Sequence, residues 1–139
     1  MYLYQNYPYD SISVIGLIEF LSDEEISGLI SNIKSMLKPG GVIIFTTPNF
    51  NLSMRFVQWL YNFKSELNYN SVTVNKHTKK SLIGKEYLKE FDTIEIYKIL
   101  NFGIVFSIFH HKIGKLFHDV FNKLFNKSFG LLLVIKVTV

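Results

Sequence analysis

Hydrophobic and polar positions alternate with different periods along this chain, and the changes of period mark its elements. After Asp10, the apolar residues Ile12, Val14 and Ile15 form a short run. A run of this kind predicts a buried parallel strand with helices covering both faces. From Ser22 the period changes. Ile26, Leu29, Ile30, Ile33, Met36 and Leu37 recur at steps of three and four, which gives one apolar face on a helix. Ser22-Asp23-Glu24-Glu25 opens that helix as a capping box. Asp23 and Glu24 suit the positive end of the helix dipole, and Lys38 suits its negative end. Pro39 stops the helix, and Gly40-Gly41 lets the backbone turn. Val42-Ile43-Ile44-Phe45 then reads as a second buried strand. Strand, helix and strand together predict a βαβ unit with a right-handed crossover.

The remainder is less regular. Residues 1–8 are aromatic and read as a loop remnant. Asn51 or Ser53 caps a helix whose apolar side holds Phe56, Val57, Leu60, Tyr61 and Phe63. Residues 64–80 are polar and predict a long surface loop. Lys80–Glu90 predicts a short helix broken near Gly84, and Thr93–Phe106 one or two strands. His111–Asn126 carries the clearest helical period, through Ile113, Leu116, Phe117, Val120, Phe121, Leu124 and Phe125. Residues 130–139 predict a closing strand. With 139 residues and 48% hydrophobic content, the chain is read as one domain with a core.

Charge adds an asymmetry. Residues 1–50 hold two basic and five acidic side chains, a net of −3, whereas residues 51–139 hold thirteen and six, a net of +7. Such a bias marks either a solvated face or a surface that meets phosphate or lipid headgroups. Cysteine is absent, which excludes disulfides and thiolate metal sites and agrees with a cytoplasmic setting. The start MYLYQNYPYD lacks the pattern of a secretory leader. The apolar run near Ile99–Phe109 falls short of the roughly 20 residues of a spanning helix.

Tyr9-Asp10-x-Ile12, then Ile18-Glu19-Phe20-Leu21-x-Asp23, then Leu37-Lys38-Pro39-Gly40-Gly41, an apolar strand and Thr47-Pro48-Asn49 agree in order and spacing with one family. The segment Tyr9–Asn49 resembles the second half of the catalytic domain of class I S-adenosylmethionine-dependent methyltransferases. Residues 77–139 resemble its last helices and strands more loosely. The resemblance implies an α/β fold with a partial Rossmann-like sheet: the last four strands with flanking helices, the first three strands missing. The division is then a remnant at 1–8, a βαβ unit at 9–49 and C-terminal helices and final strands at 50–139. It implies S-adenosylmethionine as cofactor, with Val14, Ile15 and Gly16 against its methionine part. Ligands of open α/β sheets bind at strand ends, so that placement is also physically reasonable. A small-molecule methyl acceptor is implied as substrate. No G-x-G-x-G turn precedes Tyr9, and Phe20 stands where the family often has His. The expectation is therefore a chain inactive alone, completed by an N-terminal half in trans or by self-association through an exposed sheet edge.

Each candidate residue has a structural reading beside its functional one. Glu19 is a pocket residue or a turn residue near a helix start. Thr46, Thr47 and Asn49 end the second strand, where an acceptor would sit, and Pro48-Asn49 also ends strands for local reasons. His77 is a general base or simply an exposed loop histidine. His110, His111 and His118 lack the i, i+4 pair of a helical zinc site, so no metal is expected. Dispersed lysines and a single arginine, Arg55, give no nucleic-acid signature. The 111–126 helix, flanked by Lys112, Lys115, Lys123 and Lys127, either packs on the last strands or lies on a membrane surface. The leading expectation is thus a methyltransferase, C-terminal portion, with catalytic residues unassigned. The alternative is a non-catalytic binding or assembly module, membrane-peripheral through that helix.

Overall fold

A computed structural model describes residues 8–64, 69–100, 106–107, 110–125 and 130–139 of the chain. Four strands form one mixed sheet: β1 (Tyr9–Ile15), β2 (Leu37–Pro48), β3 (Thr93–Ile99) and β4 (Leu132–Thr138), in the order β1-β2-β4-β3. β1 and β2 are parallel, and β4 runs antiparallel to both β2 and β3. The chain thus places its last strand between two earlier ones. The helices are α1 (Asp23–Met36), α2 (Leu52–Lys64), α3 (Tyr69–Val72), α4 (Lys79–Ile83), α5 (Glu86–Lys89) and α6 (His111–Phe125). The residues 1–8 remnant lies outside the described residues apart from Pro8, as do Asn126 and Lys127.

The β1-α1-β2 unit forms as its pattern predicts. Ser22 Oγ accepts from the Glu25 N–H at 3.2 Å, and Glu25 Oε2 accepts from the Ser22 N–H at 2.7 Å. This reciprocal cap satisfies two donors that a helix start leaves open. Ile26, Ile30 and Ile33 then face the sheet and are buried. The helix ends at Met36, before Lys38 is reached. Lys38 does not serve the helix dipole; its Nζ pairs with Asp10 Oδ1 at 2.7 Å, across the base of the two strands. The Lys-Pro-Gly-Gly segment is also more than a turn. Tyr9 pairs with Leu37 and Ser11 with Val42, so residues 38–41 bulge out of the β1–β2 ladder. Gly40 adopts φ +77°, a backbone region that disfavours a side chain, and its N–H donates to Val139 O at 2.8 Å. The bulge is thereby tied to the C-terminal end of β4.

One face of the sheet makes the core. Ile43 and Phe45 of β2 lie beside Val137 and Ile135 of β4 in register, with Val14 across from Phe45. These side chains join Ile26, Ile30 and Ile33 of α1 and Leu82, Tyr87, Leu88 and Phe91 from the α4–α5 region in a single buried cluster. The expectation of helices over both faces of β1 is corrected by this arrangement. On the opposite face, Ser11, Ser13 and Ile15 are exposed and Ile44, Thr46, Val134 and Lys136 are half-buried. There Lys136 Nζ pairs with Glu95 Oε1 at 2.8 Å, its cross-strand neighbour.

Other expectations are refined. Asn51 caps α2, accepting from the Met54 N–H at 3.0 Å. Of its predicted apolar side, Phe56 is exposed and Val57 half-buried, while Gln58 is buried; the side chains of Leu60, Tyr61 and Phe63 lie outside the described residues. The helix broken near Gly84 is the α4–α5 pair, opened by a Thr78–Ser81 capping box. The 64–80 segment contains α3 and a buried histidine, so it is not a plain surface loop. Within the apolar stripe of α6, Ile113, Leu116, Phe117, Val120 and Leu124 are exposed and not packed on the last strands; the side chains of Phe121 and Phe125 lie outside the described residues.

Two substitutions separate packing from hydrogen bonding in this core. Leu133→Ala empties a fully buried site between strands and is expected to cost about 2–5 kcal/mol. The Tyr87 hydroxyl is buried without a hydrogen-bond partner among the described residues, and burial pushes its pKa far upward. Tyr87→Phe removes only that stranded group, so stability is expected to hold or rise, by about 1 kcal/mol at most. Urea denaturation of both variants checks the pair. A loss for Tyr87→Phe as large as that of Leu133→Ala would contradict this account.

Candidate functional site

The C-terminal ends of β1 and β2 lie side by side, because the two strands are parallel, and the connections that leave them gather there. Ile15 ends β1 with 76% of its surface exposed, and Gly16 follows at φ +59°. The left-handed conformation suits glycine, and it aims the Gly16 N–H back at β2. That N–H donates to Thr46 O at 3.2 Å and lies 3.1 Å from Thr46 Oγ1. A Cβ on Gly16 would stand 3.8 Å from Glu19 Oε1, so the Glu19 side chain lies back beneath the turn. Val14 is buried under the same strand end.

Glu19 belongs to a short 3-10 turn, Ile18–Phe20, and is buried. Its backbone carbonyl accepts from both the Val74 and Asn75 N–H groups, at 2.9 and 3.0 Å. Asn75 Nδ2 donates to Leu21 O at 2.7 Å. These bonds pin the segment before α4 onto the turn after β1. They also bring His77 inward. His77 Nε2 lies 3.4 Å from Ile18 O, and His77 O accepts from the Phe50 N–H at 2.8 Å. The histidine therefore joins the turn after β1 to the turn after β2. Only 1% of its surface is exposed, in contrast to an exposed loop histidine. Desolvation by burial is the main cause of its lowered pKa, partly opposed by the Ile18 carbonyl.

At the end of β2, Thr47 and Asn49 are likewise buried. Asn49 Nδ2 donates to Gly130 O at 2.7 Å, and its N–H donates to Leu131 O at 2.8 Å. Asn49 thus locks the end of β2 to the start of β4. Thr47 Oγ1 is buried with no hydrogen-bond partner among the described residues. The structure gathers Val14, Ile15, Gly16, Thr47, Asn49 and His77 at one edge of the sheet. Of these, Ile15 and Gly16 present open surface, and the other four lie beneath it.

A cavity of about 600 Å³ opens beside this edge, lined by Phe50, Arg55, Gln58, Trp59, Asn62 and Lys76. Sequence reasoning assigned none of these to a site. A signal was present: Arg55, Gln58, Trp59 and Asn62 stand at i, i+3, i+4 and i+7, which is one face of α2. The approach of Lys76, beside His77, to that face follows only from the tertiary structure. Among the described residues, no group of three metal-ligating side chains occurs, and no helix is long and apolar enough to cross a membrane.

The fold resembles known structures more than the sequence resembles known sequences. No family model matches the chain, and no curated protein matches it. A SAM-dependent methyltransferase from Archaeoglobus fulgidus matches in structure with a TM-score of 0.59 at 15% identity, over 95% of this chain and 60% of its own. A cyclopropane-fatty-acyl-phospholipid synthase-like protein from Lactobacillus casei gives a TM-score of 0.48 at 8% identity, over 98% of this chain and 58% of its own. The first of these matches gives the chain a methyltransferase-like fold. The chain spans about three fifths of the length of either structure.

The buried histidine makes stability depend on pH. In the unfolded chain His77 titrates near its ordinary 6.5; in the fold its pKa lies lower. Between those values the unfolded state binds more protons, so acid favours unfolding. Stability is expected to fall as pH drops below about 6.5 and to level once the folded-state pKa is passed. Chemical denaturation at a series of pH values checks this, with His77→Gln expected to flatten the dependence. An unchanged slope in that variant would assign the effect elsewhere.

Proposed function

We propose that this chain is the C-terminal portion of a class I methyltransferase domain, acting on a small molecule. In this reading the strand end Val14–Gly16 receives the methionine part of S-adenosylmethionine. The observation that carries it is the shelf at the end of β1: an exposed Ile15 beside a left-handed Gly16, on a sheet whose fold matches a SAM-dependent methyltransferase. The residues fit one side of such a cofactor. Ile15 offers an apolar surface, and Gly16 lets a ligand approach the backbone closely.

The bound cofactor supplies an electrophilic methyl group on a sulfonium. The chain's own contribution is to position and desolvate, which is the larger need when the acceptor is a good nucleophile. Thr47, Asn49 and His77 form the acceptor-side floor in this proposal, with Asn49 and His77 holding the strand ends at a constant separation. His77 stays neutral through burial, which equally opposes its protonation, so its part in this proposal is to hold the floor in place rather than to take a proton.

The other half of the cofactor cradle is proposed to come from a strand that pairs with the outer edge of β1. Among the described residues that edge carries no strand, and Ser11, Ser13 and Ile15 are exposed along β1. The partner strand would come from an N-terminal half in trans or from a second copy.

Titration of the isotopically labelled chain with S-adenosylmethionine tests the reading by NMR. Saturable amide shifts are expected at Val14–Leu17, with an affinity weaker than about 100 μM because the cradle is half-built. Shifts confined to other surfaces would refute the cofactor assignment. Micromolar binding by the unaided chain would refute the need for a second half.

A second reading, as a membrane-peripheral module, draws on α6. Ile113, Leu116, Phe117, Val120 and Leu124 form an exposed apolar stripe with Lys112, Lys115 and Lys123 on the same helix. That combination suits a surface of anionic lipid. The chain is then expected to co-sediment with phosphatidylserine-containing vesicles at low salt, and Leu116→Asp should abolish this. Sedimentation unaltered by the substitution, or absent altogether, would remove the second reading.

A further inference from the structure

We infer that the cavity between α2 and the segment preceding His77 is a binding site for a small organic anion with a flat apolar body. Among the described residues its walls carry two cations, Arg55 and Lys76, and no carboxylate. Neither cation has an ion-pair partner among the described residues, although other lysines do: Lys34, Lys38, Lys85 and Lys136 are all paired. An anion entering the cavity would therefore meet donors that no acid among the described residues neutralises.

The second observation is independent of charge. Gln58 lines the cavity with only 6% of its surface exposed, and its Nε2 has no hydrogen-bond partner among the described residues. Asn62, one helical turn further along the same face, has a buried Oδ1 with no partner among the described residues. A buried amide atom without a partner destabilises a fold unless a ligand or water satisfies it. The two amides thus supply a donor and an acceptor to the bound molecule. Which amide atom is the nitrogen follows from the hydrogen-bond network, and a carboxylate would select the donor.

The aromatic residues set the shape. Trp59 is 61% exposed yet belongs to the cavity wall, and it stacks with Phe56 at a centroid distance of 5.9 Å. Phe50, anchored by its N–H to His77 O, forms the wall nearest the strand ends. A flat apolar body has these rings to lie against, while its anionic end meets Arg55 and Lys76. The volume of about 600 Å³ accommodates a small molecule. The inference deepens the function proposed above by giving the acceptor a chemical class, and it rests on that reading only for the acceptor role.

The chain's single tryptophan makes the test direct, since Trp59 is the only one and sits in the wall. The full 139-residue chain is titrated with sodium benzoate, with phenyl phosphate, and with benzamide as the neutral isostere, in the absence of S-adenosylmethionine. Benzoate or phenyl phosphate is expected to change Trp59 emission saturably, with benzamide weaker by about tenfold or more. The tighter of the two anions assigns carboxylate or phosphate. Arg55→Gln, at an exposed position that leaves the core intact, should weaken the anion by about tenfold and leave benzamide unchanged; Lys76→Gln should act in the same direction. Equal affinity for benzamide, no saturable change with either anion, or full affinity in both variants would overturn the site. Because no cofactor is present, these outcomes are separate from the success or failure of the methyl-transfer reading.

Discussion

The pairing of β2 with two neighbours of opposite direction is the constraint on which the rest of this structure depends. β1 runs parallel to β2 and must reach it through a crossover, which α1 supplies. β4 runs antiparallel and inserts between β2 and β3. Because the β1–β2 and β2–β4 ladders pair Val14 with Phe45, Phe45 with Ile135 and Ile43 with Val137, these residues and Leu133 fall on a single face. A slip of one residue in any ladder would turn that set toward the opposite face. The bulge at residues 38–41 and the Gly40–Val139 bond close the other end of the same pairing.

The candidate site is a consequence of that geometry. Parallel β1 and β2 deliver two turns to one edge, and backbone and side-chain hydrogen bonds hold them together. Gly16 reaches Thr46, the Glu19 carbonyl receives Val74 and Asn75, His77 spans Ile18 and Phe50, and Asn49 reaches Gly130. Polar residues at the edge are therefore mostly structural supports, and the open surface is left to Ile15, Gly16 and the cavity beside them. A rigid floor with an open shelf fits chemistry that depends on placement more than on acid–base groups.

Much of the fold was legible from local signals. The Ser22–Glu25 cap and the isoleucine stripe of α1 act over a few residues and formed as read, and the apolar strands on either side formed too, the second longer than read, at Leu37–Pro48. The cap at Asn51 and the break at Gly84 are local in the same way. Errors arose where a residue had a partner distant in sequence. Lys38 suited the helix end by position, yet Asp10 lies closer across the strands. His77 sat in a polar stretch, yet hydrogen bonds at Val74 and Asn75 draw that stretch onto the turn after β1. The α6 stripe has the period of a packed helix, but period reports an apolar face and not what covers it.

The sequence by itself determined the βαβ unit, the caps and the identity of the strand ends, because periodicity and capping depend on neighbours within about one or two helical turns. It also carried the methyltransferase-like order of elements, which the fold repeats. Only the tertiary structure decided that β4 inserts beside β2, that His77 is buried, and that Lys76 faces the polar side of α2 across a cavity. Those outcomes depend on contacts between residues far apart in the chain, where the energy of closing a loop against burying a surface decides, and no local pattern encodes that balance.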